Sequence, residues 1–404
     1  MKQAEAQRLL GVILDIGVAM IRSGAEIHRV EESLYCLCRS YGYLTSDIWV
    51  VPSNIQGTVT TQDGNMITQI RHVRNAGIDF DQLERLDALF RRACAERPDS
   101  AALRSDLIQA EAVPANPLAG RFLAAALAAS GFGIFFHCDG PDALVAVIVS
   151  AMVVILSERL RQRESNPLIL NFLISAAAEA VILLCVEIGI GHHADYITVG
   201  VIMLMISALG TTNGIRDLIH LDTLSGLVNI SSSLTGAIGI ALGTALPLLL
   251  AHVNNCMDPS PMNPSFVLQL VGCTAGCTGF ALWLHVRKDH ILFCALGALL
   301  TWISYRFISE RMDLFPSILI SAAVCGLYAQ LVGRIRKCPS TIFQTISIFP
   351  LIPGSTLYYM MLGAVTGDIS LAVNRGMALL LTCFGIVLGF MVVEAAMSFS
   401  PTIS

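Results

Sequence analysis

Three carboxylates in this chain stand where a carboxylate is costly. Glu179 lies in the middle of an apolar run, Glu187 near the outer end of the same run, and Glu394 in the last turns of the final one. Charge carried into hydrocarbon is expensive, so such residues usually mark ion or proton pathways. Glu179 is the candidate proton-coupling carboxylate. The plainer alternative is a neutral glutamic acid bonded to a neighbouring helix.

Two polar interruptions add a second chemistry. One reads Gly210-Thr211-Thr212-Asn213-Gly214-Ile215-Arg216-Asp217, followed by Asp222 and Ser225-Gly226. The other reads Phe349-Pro350-Leu351-Ile352-Pro353-Gly354-Ser355-Thr356-Leu357-Tyr358-Tyr359. Asn213-Gly214 and Pro353-Gly354 suit a helix interior poorly, so unwound main chain is expected at both places. Free backbone at membrane depth must be buried in protein or line a wet cavity. Helix ends there offer N–H groups to a carboxylate and C=O groups to an ammonium. Hydroxyls of Thr211, Thr212, Ser355 and Thr356 add neutral partners, and Asp217 is a second candidate for proton coupling. A small zwitterion or a dicarboxylate fits such a pocket; with a dicarboxylate, Arg216 would hold a carboxylate through its bidentate fork. Plainer readings stay open. Thr211–Asp222 also reads as a connecting loop, Pro350–Pro353 as an ordinary kink, and Tyr358-Tyr359 as part of an interfacial aromatic belt.

The elements that position these residues follow from charge and hydropathy. The chain has 404 residues, 54% hydrophobic and 14% charged, with a net charge of −5 and a mean hydropathy of +0.68. That excludes a disordered chain, a disulfide scaffold and a phosphate-tracking nucleic-acid binder. Residues 1–111 carry 12 of the 25 basic and 15 of the 30 acidic residues. They read as a soluble cytoplasmic domain, with no signal peptide before it. The linker is 112–117, and membrane halves follow at 118–255 and 256–404.

A buried helical stripe is predicted from Leu9, Ile13, Ile16 and Met20, and a second helix over 26–40. Strands are predicted at 48–51, 58–61 and 66–73, with a two-residue type I′ turn at Asp63-Gly64. A third helix is expected over 79–95, ended by Arg97-Pro98-Asp99-Ser100. Spans of about twenty residues are placed at 118–136, 141–157, 167–189, 195–210, 223–252, 265–286, 290–308, 313–333, 341–365 and 371–397. The fifth is long for one straight crossing: either Pro247 ends it or its first turns lie outside the membrane. Basic residues of the loops favour both termini inside: Arg121, Arg159, Arg161, Arg163, Arg216, Arg287, Lys288, Arg334, Arg336 and Lys337 against Arg306, Arg311 and Arg375. The outer loops at 137–142, 191–195 and 252–264 hold no Lys or Arg. Ten spans divide into five and five, and an odd number per half inverts the second half relative to the first.

Other clusters read blandly. Gly236, Gly239 and Gly243 permit close helix packing. Cys185, Cys273, Cys277, Cys294, Cys325 and Cys383 sit in apolar runs as small hydrophobes, and Cys36, Cys38 and Cys94 in the polar domain, placed in a reducing compartment. His192-His193 with Asp195 could bind a metal but reads first as an exposed outer loop, so neither metal nor cofactor is expected. His28, Arg29, Glu31 and Glu32 could do acid–base work in a membrane-tethered enzyme or sensor, yet read first as a solvated helix face. No nucleophile elbow, P-loop or zinc spacing occurs, and an anchor needs far fewer than ten spans.

Taken together these residues resemble the threonine/serine exporter family, whose relatives include a two-component succinate exporter. Ser23-Gly24-Ala25-Glu26 with Arg29-Val30-Glu31 is similar to the family's N-terminal signature. Thr212–Asp217 with Asp222 and Ser225-Gly226 is similar to the motif closing its fourth span. Pro350-Leu351-Ile352-Pro353-Gly354 with Tyr358 resembles the motif of the second component. Thr211 and Ile352 depart from the usual Leu and Val. The resemblance implies both components fused in one chain, 1–255 and 256–404. It also implies a multi-pass cytoplasmic-membrane exporter driven by the proton motive force. Threonine or serine is the first substrate expected and succinate or another dicarboxylate the alternative; the partners expected are that small molecule, protons and the lipid bilayer, and a homo-oligomer is compatible with the sequence.

Overall fold

The computed structural model describes residues 3–74, 77–112, 117–164, 166–205, 208–219, 222–251 and 265–398. The chain forms two compact units. The first comprises Met1–Asn116 with the short segments Leu284–Arg287 and Arg336–Pro339, and the second holds the rest.

In the first unit, helices α1 (Gln3–Arg22) and α2 (Ile27–Ser40) precede strands β1 (Thr45–Val51), β2 (Asn54–Thr60) and β3 (Met66–His72). Helices α3 (Phe80–Glu96) and α4 (Ser100–Glu111) follow. The strands form one antiparallel sheet in the order β1-β2-β3. The stripe Leu9, Ile13, Ile16 and Met20 is buried, as its spacing requires, in a core shared with Leu34, Ile55, Leu86 and Leu103. Asp15, which interrupts that apolar stretch, is held by Arg71 at 2.7 Å and Arg104 at 2.6 Å.

Two local expectations change. The hairpin has a three-residue loop rather than a type I′ pair. Thr61 N donates to Asn65 O and Gly64 N to Thr61 O, and Gly64 alone takes positive φ, +80°. A type I turn closed by a left-handed glycine spares Asp63 the positive φ that type I′ would impose. Helix α4 is not foreseen by the sequence reading. Its start is an Asp99 cap accepting from Ala102 N at 2.7 Å, so the same Arg97–Ser100 stretch that ends one helix opens another. His28 and Glu32 form an exposed i,i+4 pair at 3.3 Å, as a solvated face would.

The segments from between the later helices are gripped by α3. Phe80 N and Asp81 N donate to the carbonyls of Leu284 and His285, both at 3.0 Å. Asp79 caps α3 through Gln82 N and pairs with His285 Nδ1 at 2.7 Å. Burial pushes the Asp79 carboxyl up, but the bonds from His285, Gln82 and Asp81 outweigh it and hold it below the usual carboxylate range. Arg287 meets Glu84 at 2.9 Å, and Arg91 donates to the Lys337 carbonyl at 2.9 Å.

The second unit is helical throughout its described residues. Its first set is α5 (Leu118–Phe135), α6 (Gly140–Arg161), α7 (Pro167–Glu187), α8 (Ala194–Ile202), α9 (Ala208–Ile219) and α10 (Thr223–Leu250). Its second set is α11 (Phe266–Trp283), α12 (Lys288–Ser309), α13 (Leu314–Arg336), α14 (Ser340–Ile348), α15 (Gly354–Thr366) and α16 (Ile369–Ser398). Among the described residues eight helices are long and apolar enough to cross a membrane, and a ninth span is obtained if α14 and α15, bent by 53°, count as one. Lengths run in parallel through the two sets: 18, 22, 21, 9, 12 and 28 residues against 18, 22, 23, 9, 13 and 30. Pro247 does not end α10, which continues to Leu250. The expected boundary at 255–256 and the outer loop at 252–264 lie outside the described residues.

Exposed apolar rows such as Leu292, Leu296 and Leu300 on α12 need a hydrocarbon neighbour. Inside, glycines set the contacts. A Cβ on Gly243 would lie 2.4 Å from Phe172 O, and one on Gly239 2.5 Å from Leu168 O. The close packing read from the α10 glycines is therefore the packing of α10 on α7.

Candidate functional site

Among the described residues one apolar span is bent at a break, between α14 and α15, and α8 and α9 stand at the corresponding place of the first set. In the second set α14 passes into a 3₁₀ turn, Phe349–Leu351, and α15 restarts at Gly354 behind Pro353. Pro350, Pro353 and Gly354 sit where the sequence places them, since proline removes a donor and blocks the regular ladder. Phe349 stacks on Phe280 at 4.1 Å, which fixes the turn against α11.

In the first set the interruption is not at Asn213-Gly214. Both residues lie inside α9. The main chain leaves α8 in a tightened turn, Met205 N to Ile202 O at 2.8 Å, and regular helix resumes at Ala208. Gly214 serves a different purpose. A Cβ there would lie 2.8 Å from Gly226 O, and one on Gly226 would lie 2.7 Å from Gly214 O. The glycine permits α9 to touch α10, and the expected unwinding is corrected accordingly.

Glu179 lines a cavity with residues from the first turns of α8. The lining comprises Glu179 from α7, Ala194, Asp195 and Thr198 from α8, Leu248 from α10, and Tyr358 and Tyr359 from α15. Glu179 is 2% exposed, and its Oε2 accepts from Thr198 Oγ1 at 2.8 Å. Tyr358 lies against Tyr359, ring centroids 5.3 Å apart. The Arg375 guanidinium sits 5.3 Å from the Tyr359 ring. The space within it is about 10 Å³, roughly one water molecule. A substrate requires the walls to part, and the walls include one helix from each interrupted pair, α8 and α15.

Two separate sequence candidates, Glu179 and Tyr358, line this cavity; Asp195, Thr198 and Leu248 also line it but are not read from sequence as site residues, because their place depends on how α8 and α10 pack. The other candidate residues gather around α9. Thr211, Thr212 and Arg216 are buried. Thr212 Oγ1 is 3.9 Å from Cys383 Sγ, and the Arg216 guanidinium lies 5.3 Å from the Phe390 ring. Asp217 accepts from Asn229 Nδ2 at 2.8 Å. Asp222 precedes α10 and donates its N–H to Asp217 O. Asn213 is exposed and Ser355 half-buried. The α15 helix joins the two groups, because Leu357 packs with Ile215 and Ala237 while Tyr358 packs with Val199 and Ile240.

Asp139, Asp142 and His192 bring three ligand-type atoms within 4.8 Å of one another and could hold a metal ion. Each already has protein partners. Asp139 and Asp142 form the capping box of α6, Asp142 accepts from His192 N at 2.7 Å, and His193 Nδ1 lies 2.8 Å from Asp142 Oδ2. His192 Nδ1 is 2.6 Å from Asp139 Oδ2, and that bond, with the charge behind it, holds the imidazole above its ordinary pKa. The pair is ionic below that raised value and loses its charge as pH rises through it. An NMR titration of His192 should therefore show a midpoint above the ordinary imidazole value that falls toward it in Asp139→Asn. A midpoint indifferent to that substitution would dissolve the pair.

Comparison with known families bears on both sets. A threonine/serine exporter family model matches residues 11–251, and a second threonine/serine exporter model matches residues 269–396. Neither a curated protein nor a solved structure matches the chain.

Proposed function

Because the chain belongs to the threonine/serine exporter family, with two family modules joined in one multi-pass membrane protein, we propose that it exports a small zwitterionic amino acid, threonine or serine, by proton-coupled alternating access. One observation carries this reading: the cavity that holds Glu179 is built from both modules and lined by acidic and hydroxyl groups. Asp195 suits a substrate ammonium, the hydroxyls of Thr198 and Tyr358 suit a substrate hydroxyl, and Arg375 beside Tyr359 is a cation suited to a carboxylate. No Lys, Arg or His lines the cavity among the described residues. A dicarboxylate would bring two carboxylates to two acids, with Arg375 behind the wall to offset one of them, so the amino acid is favoured.

The matched helix lengths support two five-span halves, α8–α9 and α14–α15 each counting as one broken span. Reciprocal packing supports them further: α9 meets α16 of the other set, and α15 meets α10. Five spans per half require the second to insert inverted, and two inverted halves rocking about their interruptions give alternating access. Segments 284–287 and 336–339 share the compact unit of the N-terminal residues, which supports placing them with the basic loops on the cytoplasmic side, both termini inside. In this cycle Glu179 takes a proton from outside as the amino acid leaves, then releases it inward as the next ammonium arrives.

Counterflow in proteoliposomes with labelled threonine, serine and succinate tests the proposal. Threonine or serine should exchange at a rate that depends on the proton gradient, with succinate near background. Succinate exchange without amino-acid exchange would overturn it.

A further inference from the structure

The folded domain preceding the membrane helices carries a pair of thiols in contact. Cys36 of α2 and Cys94 of α3 place their Sγ atoms 3.7 Å apart, across 58 residues of sequence. Cys36 is exposed and Cys94 partly buried, whereas the nearby Cys38 is buried. Among the described cysteines Cys36 is the exposed one. An S–S bond is about 2.05 Å long, so closing it asks each sulfur to move by under about 1 Å.

We propose that Cys36 and Cys94 form a reversible dithiol–disulfide site, oxidised by a low-molecular-weight disulfide, with Cys36 reacting first and Cys94 resolving. The Cys36 thiolate attacks one sulfur of the small disulfide and expels the other half as a thiol, leaving a mixed disulfide on Cys36. The Cys94 thiolate then attacks the Cys36 sulfur and expels the second half. Two protein thiols are oxidised, one small disulfide is reduced to two thiols, and no other electron acceptor is needed. The order follows from access, because solvent reaches Cys36 more readily. Burial and the neighbouring Cys36 sulfur push the Cys94 thiol up to about 11, which makes it a poor first attacker and leaves it to act at short range once Cys36 is capped. The bond would tie α2 to α3, the helix whose Asp79, Glu84 and Arg91 grip segments 284–287 and 336–337. The pair is independent of what the membrane helices carry.

The test treats the full-length protein with glutathione disulfide and maps the products by mass spectrometry without reduction. The wild type should yield a Cys36–Cys94 linked peptide that dithiothreitol reverses. Cys94→Ser should stop at a stable glutathione adduct on Cys36, and Cys36→Ser should give no linked peptide and an adduct on Cys94 formed at least tenfold more slowly. A wild type that stops at the adduct with no linked peptide would overturn the proposal. So would a Cys36→Ser protein whose Cys94 reacts as fast as Cys36 does in the wild type.

Discussion

Glu179→Gln is expected to remove gradient-driven export while preserving exchange of labelled substrate at equal pH on the two sides. Glutamine keeps the size of the side chain and an oxygen to accept from Thr198 Oγ1, which lies 2.8 Å from the native carboxylate. It cannot take up or release a proton. One proton moved through about 100 mV contributes about 2.3 kcal/mol, which corresponds to roughly a fifty-fold concentration ratio. The substituted protein should lose that ratio and run down its substrate gradient instead. Its exchange rate should also be flat with pH where the wild type's is not. Reconstituted protein loaded with labelled threonine, with a pH step imposed across the vesicle, measures both. Undiminished uphill export by the glutamine protein would remove Glu179 from the coupling.

The force of that prediction lies in burial. At 2% exposure, a carboxylate with one hydroxyl partner is too costly to be kept for packing alone, since an apolar residue of like size would serve better. The same consideration separates Glu179 from Asp217. Asp217 is only half-buried and takes a bond from Asn229, so its substitution by Asn should affect α9–α10 packing more than coupling.

How much of this was legible beforehand varies with the kind of signal. The carboxylate in an apolar run was visible because its cost depends on local sequence alone. The second interruption was visible for a similar reason, as two prolines three residues apart permit few regular structures. The first was misplaced because Asn213-Gly214 resembles a break, and only the partner helix reveals that Gly214 is there to meet Gly226. The actual departure, after Ile202, carries neither proline nor glycine in its tightened turn at Met203–Met205. Thr198 and Leu248 were invisible for a deeper reason: Thr198 bonds Glu179 from another helix and Leu248 lines the same cavity from a third, with no trace in sequence spacing.

Small residues on α5 and α11 were legible only as composition, yet they support the prediction with the largest effect on stability. A Cβ on Gly131 would stand 2.2 Å from Gly276 N and 2.7 Å from its Cα. Those obstacles are main chain and cannot rotate away, so Gly131→Ala forces α5 and α11 apart. A Cβ on Gly276 instead meets the Phe132 ring at 2.6 Å, a side chain that can give way at some cost to its contacts with Phe280 and Phe349. Gly140, at the start of α6, has nothing within 4 Å of its added carbon. Overpacking costs about 1–3 kcal/mol and sometimes more, and a substitution with no contact stays within about 0.5 kcal/mol. Thermal melting of the purified protein should rank the three alanine variants Gly131, then Gly276, then Gly140, with Gly140→Ala indistinguishable from wild type. Since α5 and α11 open their respective sets and touch along their length, Gly131→Ala should also depress exchange of every substrate alike, unlike Glu179→Gln, which spares exchange and abolishes only coupling. Equal melting of Gly131→Ala and Gly140→Ala would mean the two helices do not meet at that crossing.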